Sequence, residues 1–183
     1  MKKKVLVVIA EGFEEVEGIA SIDVLRRSDI EVTVAGLGSK SINGARNVSI
    51  ECDIEFKDRE SVYDAIVLPG GMPGAENLAK SKELGDLLLE MISQKKIVAA
   101  ICASPAIVLA PMGILDGRKA TCYPGMEKSF SSKITFVDEN VVQDGNLITS
   151  KGVGTALQFA LKISENIVGK LKSEMIGNQV LVK

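Results

Sequence analysis

Two kinds of pattern alternate along the chain. Lys4-Val-Leu-Val-Val-Ile-Ala10, Ile30–Ala35, Asp64-Ala-Ile-Val-Leu68 and Ile97–Ile101 are almost wholly apolar and rich in β-branched residues. Runs of this kind and length read as strands buried on both faces of a parallel sheet. Between and after them lie stretches whose apolar positions recur at helical spacing: residues 14–28 (Val16, Ile19, Ala20, Val24, Leu25), Glu83–Gln94, and Gly154–Val168 (Leu157, Ala160, Leu161, Ile163, Ile167). Ala103–Leu109 predicts another helix, with Pro105 in its first turn and Pro111 ending it. Val48–Ile54 alternates in part and allows a short edge hairpin with Ser41–Ile42. Thr135–Val137, Asn140–Val142 and Leu147–Thr149 are short strands, the last two joined through Asp144-Gly145, a hairpin turn signal. Strand, helix, strand in this order predicts an α/β three-layer sandwich, with a mostly parallel central sheet and helices on both faces. No linker, repeat or low-complexity segment interrupts it, so residues 1–183 read as one domain.

Composition narrows the possibilities. The net charge of −2 provides no positive field for nucleic acid or an anionic membrane. Apart from the Met1–Lys4 basic tip, Lys and Arg are scattered. No apolar run reaches the ~18 residues of a spanning helix, and no cleavage site follows Val5–Ala10, so a cytoplasmic location is expected. The three cysteines, 52, 102 and 122, are odd in number and widely spaced. They suggest neither a disulfide framework nor a zinc site, and a reducing compartment suits them. The chain contains no histidine, which excludes Ser-His-Asp and Cys-His catalysis by this chain alone and removes imidazole metal ligands.

Three constellations carry candidate chemistry. In Lys96-Ile-Val-Ala-Ala-Ile-Cys-Ala-Ser-Pro105 a buried strand runs straight into a cysteine, and small residues follow. That is the layout of a nucleophile elbow, at the strand end where α/β sites form. A helix start there favours the thiolate of Cys102. A small buried space-filler is the competing reading, since free cysteine is often buried. Leu68-Pro-Gly-Gly-Met-Pro-Gly74, with Gly70 and Gly71, lets backbone approach a ligand and aim N–H groups at an oxyanion, or is a plain tight turn. Glu11-Gly-Phe-Glu-Glu-Val-Glu17 has four acids in seven residues. Glu14 and Glu15 read as a solvated helix N-terminal face. Glu17, one turn on, reaches the elbow if it points over the sheet edge; buried there it keeps its proton and serves as acid, then base. Cys52, between Glu51 and Asp53, and Cys122 read as structural. Gly152-Val-Gly-Thr155 reads as a loop with Thr155 as helix cap.

Taken in order, Val5–Glu17, Asp23–Arg27, Val32–Gly36, Tyr63-Asp64 with Val67–Gly71, Gly74–Leu78, Ala99–Ala103 and Thr149–Thr155 make the chain similar, nearly end to end, to the ThiJ/PfpI superfamily (class I glutamine amidotransferase-like), and within it to the DJ-one branch. The resemblance implies a flavodoxin-like sandwich and a homodimer. It implies Cys102 as nucleophile, Glu17 as its protonated partner, and Gly71 with Ala103 as backbone donors to an oxyanion. It implies Gly70 and Arg46 as supporting residues, and Arg27 and Glu14 at the dimer contact. Two departures stand out. Tyr123, in Cys122-Tyr-Pro124, occupies the place of a histidine common in relatives and offers a hydroxyl over the site. Val153 stands where relatives often have proline and reshapes the pocket wall.

The function implied is glyoxalase or deglycase chemistry on a small reactive carbonyl such as methylglyoxal, with no cofactor and no metal. The alternative is a redox sensor or chaperone-like protein whose Cys102 is oxidised without turnover. A cysteine peptidase ranks behind both, because no imidazole is present to activate the thiol.

Overall fold

The computed structural model describes residues 2–182; Met1, in the basic tip noted above, lies outside the described residues. Each apolar run forms a strand, and parallel pairing gathers their ends. In chain order the elements are β1 (Lys4–Ile9), α1 (Glu15–Arg27), β2 (Glu31–Gly36), β3 (Ser41–Asn43), β4 (Ser49–Glu51), β5 (Ile54–Glu55), β6 (Ala65–Leu68), α2 (Gly74–Lys80), α3 (Lys82–Ser93), β7 (Ile97–Ile101), β8 (Lys119–Ala120), β9 (Thr135–Phe136), β10 (Val141–Asp144), β11 (Leu147–Ser150), α4 (Ala156–Val168) and α5 (Lys170–Gln179). The main sheet has the order β10-β11-β7-β6-β1-β2-β5. All its pairings are parallel except the β10–β11 hairpin.

Alternation within β1 shows how the sandwich is filled. Val5, Val7 and Ile9 face a core shared with Ile22 and Leu25 of α1 and Phe159 and Ile163 of α4. Leu6, Val8 and Ala10 face the opposite core, with Leu84, Leu88 and Met91 of α3 and Leu78 of α2. Successive side chains point to opposite faces of a strand, so a strand covered on both sides must be apolar throughout. The mostly parallel three-layer sandwich expected from the pattern is the fold observed. Among the described residues no helix is long and apolar enough to cross a membrane.

Several local details differ from the sequence reading. The Ser41–Asn43 and Ser49–Glu51 strands pair with each other apart from the main sheet, whose edge is instead the two-residue β5. Thr135–Phe136 pairs with β8, also outside the main sheet. The segment after Cys102 is not a regular α-helix: Pro105–Leu109 is a wide turn, with Ala110 N–H donating to Pro105 O. Proline tolerates the first turn but supplies no N–H of its own, and wide turns of this kind recur near functional sites. Thr155 does not cap α4. Its hydroxyl accepts from Gly152 N–H and bonds the Ser150 hydroxyl, holding the loop instead. α2 and α5 are not legible in the sequence: α2 is short, and α5 has too weak an apolar face to announce itself, its inner side being Ser173, Ile176 and Gly177.

Candidate active site

Because β1, β6, β7 and β11 are adjacent and parallel, their C-terminal ends open on one edge of the sheet. That edge carries Glu11–Glu17, Gly70-Gly71, Cys102 and Gly152-Val153. Cys102 has φ 65°, a left-handed conformation that costs a non-glycine residue roughly 1–2 kcal/mol. Its backbone is held there from both sides: its N–H donates to Ser150 O (2.9 Å), and Tyr123 N–H donates to its carbonyl (2.8 Å). The Ser104 hydroxyl ties the elbow to the neighbouring loop by donating to Pro69 O at 2.6 Å. Gly70 packs so closely that a Cβ on it would lie 2.6 Å from Cys102 Cβ. The elbow is therefore imposed by its neighbours, in keeping with the strand-to-cysteine pattern.

Glu17 is fully buried. One carboxyl oxygen, Oε2, accepts Gly70 N–H at 2.8 Å. The other, Oε1, has no nitrogen or oxygen partner and faces the Cys102 sulfur. A buried carboxylate oxygen without a donor is costly; a hydroxyl there has an acceptor in the sulfur. The geometry fits a carboxyl that holds its proton toward Cys102.

The two groups titrate as a unit. Burial, the largest influence, raises the Glu17 carboxyl from 4.5 to about 7, while Gly70 N–H pulls the other way. Burial first, then the charge of an ionised Glu17, push the Cys102 thiol up to about 12; the N–H groups of Gly71 and Ala103, both aimed at the sulfur, pull it down. The low thiol titration expected of the elbow is thus not met: burial, the largest influence, outweighs the two N–H groups. When Glu17 keeps its proton, that repulsion is absent.

The other expected site residues divide. Tyr123 is half-exposed, and its ring edge at Cδ2 lies across from Gly152, beside the sulfur. Val153 is exposed at the rim. The Arg46 guanidinium donates to Ala45 O; it is the Arg46 backbone N–H that is tied to the site region, by donating to Glu15 Oε1 at 2.6 Å. Glu14 is the N-cap of α1: its carboxylate accepts Glu17 N–H at 2.8 Å, which orients the turn that carries Glu17. Arg27 pairs with Asp23 one turn earlier on the same helix.

The expectation that Glu15 lies on a solvated face is wrong. It is buried against the hairpin loop, where burial opposes its charge but the N–H groups of Arg46 and Val48 outweigh burial and hold the carboxyl below its ordinary value. A tertiary contact more than thirty residues away made this, and no local signal announces it. Cys52 and Cys122 are buried, and burial raises their thiols to about 11 and about 12. Cys102 alone of the three is part-exposed. Among the described residues no group of three or more Cys, Asp or Glu side chains is placed to hold a metal ion. A cleft of about 540 Å³ lies elsewhere, lined by residues that include Asp138, Gln158, Lys162 and Glu165.

A cysteine on a strained elbow, facing a buried acid on a flavodoxin-like sheet, defines a class of cysteine-dependent α/β proteins. The family model described as the DJ-1/PfpI family matches residues 3–166, and the chain belongs to that family. It is 44% identical to Protein dj-1beta of Drosophila melanogaster, over 100% of this chain and 98% of that protein. It is 35% identical to glutathione-independent glyoxalase DJR-1.2 of Caenorhabditis elegans, over 96% of this chain and 94% of that one. Among solved structures, oxidized Toxoplasma gondii DJ-1 superimposes with a TM-score of 0.94 at 38% identity, covering 98% of both chains.

Proposed function

We propose that the protein is a glyoxalase that needs no glutathione or other cofactor, with Cys102 as nucleophile and Glu17 as proton shuttle. The Cys102 sulfur adds to the aldehyde carbon of methylglyoxal; the C=O π pair moves to oxygen, which takes a proton, giving a hemithioacetal. Gly71 and Ala103 N–H stand ready for developing negative charge. Glu17 then takes the proton from the former aldehyde carbon and returns one to the neighbouring carbon, while the hydroxyl proton passes to the neighbouring ketone oxygen, leaving a thioester. Water hydrolyses it to lactate and frees the thiol. Deglycation of early carbonyl adducts uses the same first bond.

The observation that carries this reading is the facing pair: a part-exposed sulfur against an otherwise unpartnered carboxyl oxygen that titrates near neutrality. The glyoxalase name of the nematode relative agrees with it. The test is lactate formed from methylglyoxal without glutathione, with buffer reactions subtracted. Cys102→Ala should abolish it, and Glu17→Gln should lower it by roughly 10²–10⁴-fold, the usual share of positioned acid–base catalysis. Equal lactate from wild type and Cys102→Ala ends the proposal.

A redox role for the same sulfur is the second reading. It is favoured by the burial of the other two cysteines and by the oxidized form of the Toxoplasma relative. Mild peroxide followed by mass spectrometry should place oxidation on Cys102, and oxidation spread evenly over the three cysteines would count against it.

We further propose that the chain pairs as a homodimer through the face carrying Val16 and Ile19 of α1, with Val48 and Val153 beside it. All four are exposed apolar side chains on neighbouring segments, and Glu14 and Arg27 lie on the same helix.

A further inference from the structure

The glycines around the sulfur differ in what would meet an added side chain. At Gly70 a Cβ would strike Cys102 Cβ at 2.6 Å and backbone at 2.9 and 3.0 Å. At Gly71, with φ +88, it would lie 2.4 Å from Glu14 N. At Gly44 it would meet the Glu15 carboxyl at 2.3 Å. These three are glycine because the backbone or a buried carboxyl leaves no room.

Gly152 is different. Its φ of 161° and ψ of −161° are extended backbone open to any residue. A Cβ there would meet Tyr123 Cδ2 at 3.4 Å, Glu17 Oε1 at 3.7 Å and Cys102 Sγ at 3.8 Å, and no other heavy atom at closer range. All are ordinary van der Waals contacts. Its hydrogen bonds, to and from Thr155, use only backbone atoms of the glycine and survive a methyl. Neither conformation nor packing demands glycine here. What its bare Cα preserves is a space one carbon wide, bounded by the nucleophile, the proton shuttle and an aromatic ring edge.

We propose that Gly152 is a specificity-determining position: the space left by its missing side chain is where the carbonyl carbon attacked by Cys102 sits. A carbon 3.8 Å from sulfur is a few tenths of an ångström short of the 3–3.5 Å at which reacting atoms meet. Glu17 Oε1 is then within reach of the hydrogen on that carbon. The S–C bond forms there, and the displaced π pair goes to the carbonyl oxygen, which is protonated. The substrate class is an unhindered aldehyde, because the pocket admits one carbon over the sulfur and its other substituent must leave through the exposed Tyr123–Val153 rim. This rests on the carbonyl-adding role proposed for Cys102.

The test compares Gly152→Ala with Gly154→Ala, where a Cβ would meet nothing within 4 Å. Two readouts are needed: lactate from methylglyoxal, and alkylation of Cys102 by iodoacetamide followed by mass spectrometry. Gly152→Ala should melt within a few degrees of wild type yet lose at least tenfold in both kcat/KM and alkylation rate. Gly154→Ala should match wild type in both. Wild-type rates in Gly152→Ala would overturn the inference, and so would an unfolded Gly152→Ala, since room for a methyl is its premise. If wild type itself makes no lactate, the glyoxalase reading fails, while the alkylation comparison still decides whether the space over the sulfur is set at residue 152.

Discussion

Glu17 illustrates how much one side chain can hold. It is fully buried, and burial raises its carboxyl from 4.5 to about 7. The folded state therefore binds its proton more tightly than the unfolded chain does. The sign follows: this group's contribution to stability is present in full below about pH 4.5 and is lost as pH rises through about 7. The loss amounts to about 3 kcal/mol, since each tenfold gain in proton affinity is worth ~1.4 kcal/mol. Chemical denaturation across pH 4.5 to 8, in a Cys102→Ala background so that only the carboxyl titrates, should show stability falling through neutrality. Adding Glu17→Gln should remove that fall. Parallel pH profiles for the two proteins would mean that residue 17 is not a proton-binding group of the fold. A residue expensive to ionise and retained in the core is what a proton shuttle requires, so its stability cost and its proposed chemistry share one cause.

Elements act by fixing where loops meet. β6 and β7 pair in parallel with Leu68 opposite Ala100, which sets Gly70 against the Cys102 backbone. Gly70→Ala should therefore destabilise by about 1–3 kcal/mol, the range for forced overpacking, and should slow Cys102 alkylation by displacing the elbow. The same one-methyl change at Gly152 should leave stability near wild type. Thermal unfolding of the two variants side by side checks the contrast, and equal losses would deny it. The hydrophobic runs made β1, β6 and β7 readable, because a strand covered on both faces has no polar positions. The wide turn at Pro105–Leu109 was not readable, since its i-to-i+5 bonding is a compromise among Pro105, the elbow and the packing around it.

At the scale of the whole molecule, the exposed apolar face of α1 is one feature the single chain leaves unsatisfied. Val16 and Ile19 keep about half of their surface in water (50% and 44%). If two copies meet there, light scattering at micromolar concentration should give twice the chain mass, and Val16→Asp with Ile19→Asp should give the chain mass with its circular dichroism unchanged. A wild-type monomer would refute the proposed pairing. That face also borders the strands' carboxyl edge, so a second copy would narrow the approach to Cys102.

The sequence alone determined the layering and marked Cys102 and Glu17 as candidates, their pairing being implied by the family resemblance. The layering is written locally, in apolar runs whose length and β-branching suit buried strands. Tertiary structure decided everything that depends on distance through space. It buried Glu15 under a hairpin loop, aimed Gly71 and Ala103 N–H at one sulfur, coupled that sulfur's titration to Glu17, and emptied the space beside Gly152. Those outcomes come from residues far apart in the chain brought together at one sheet edge, and no window along a sequence contains them.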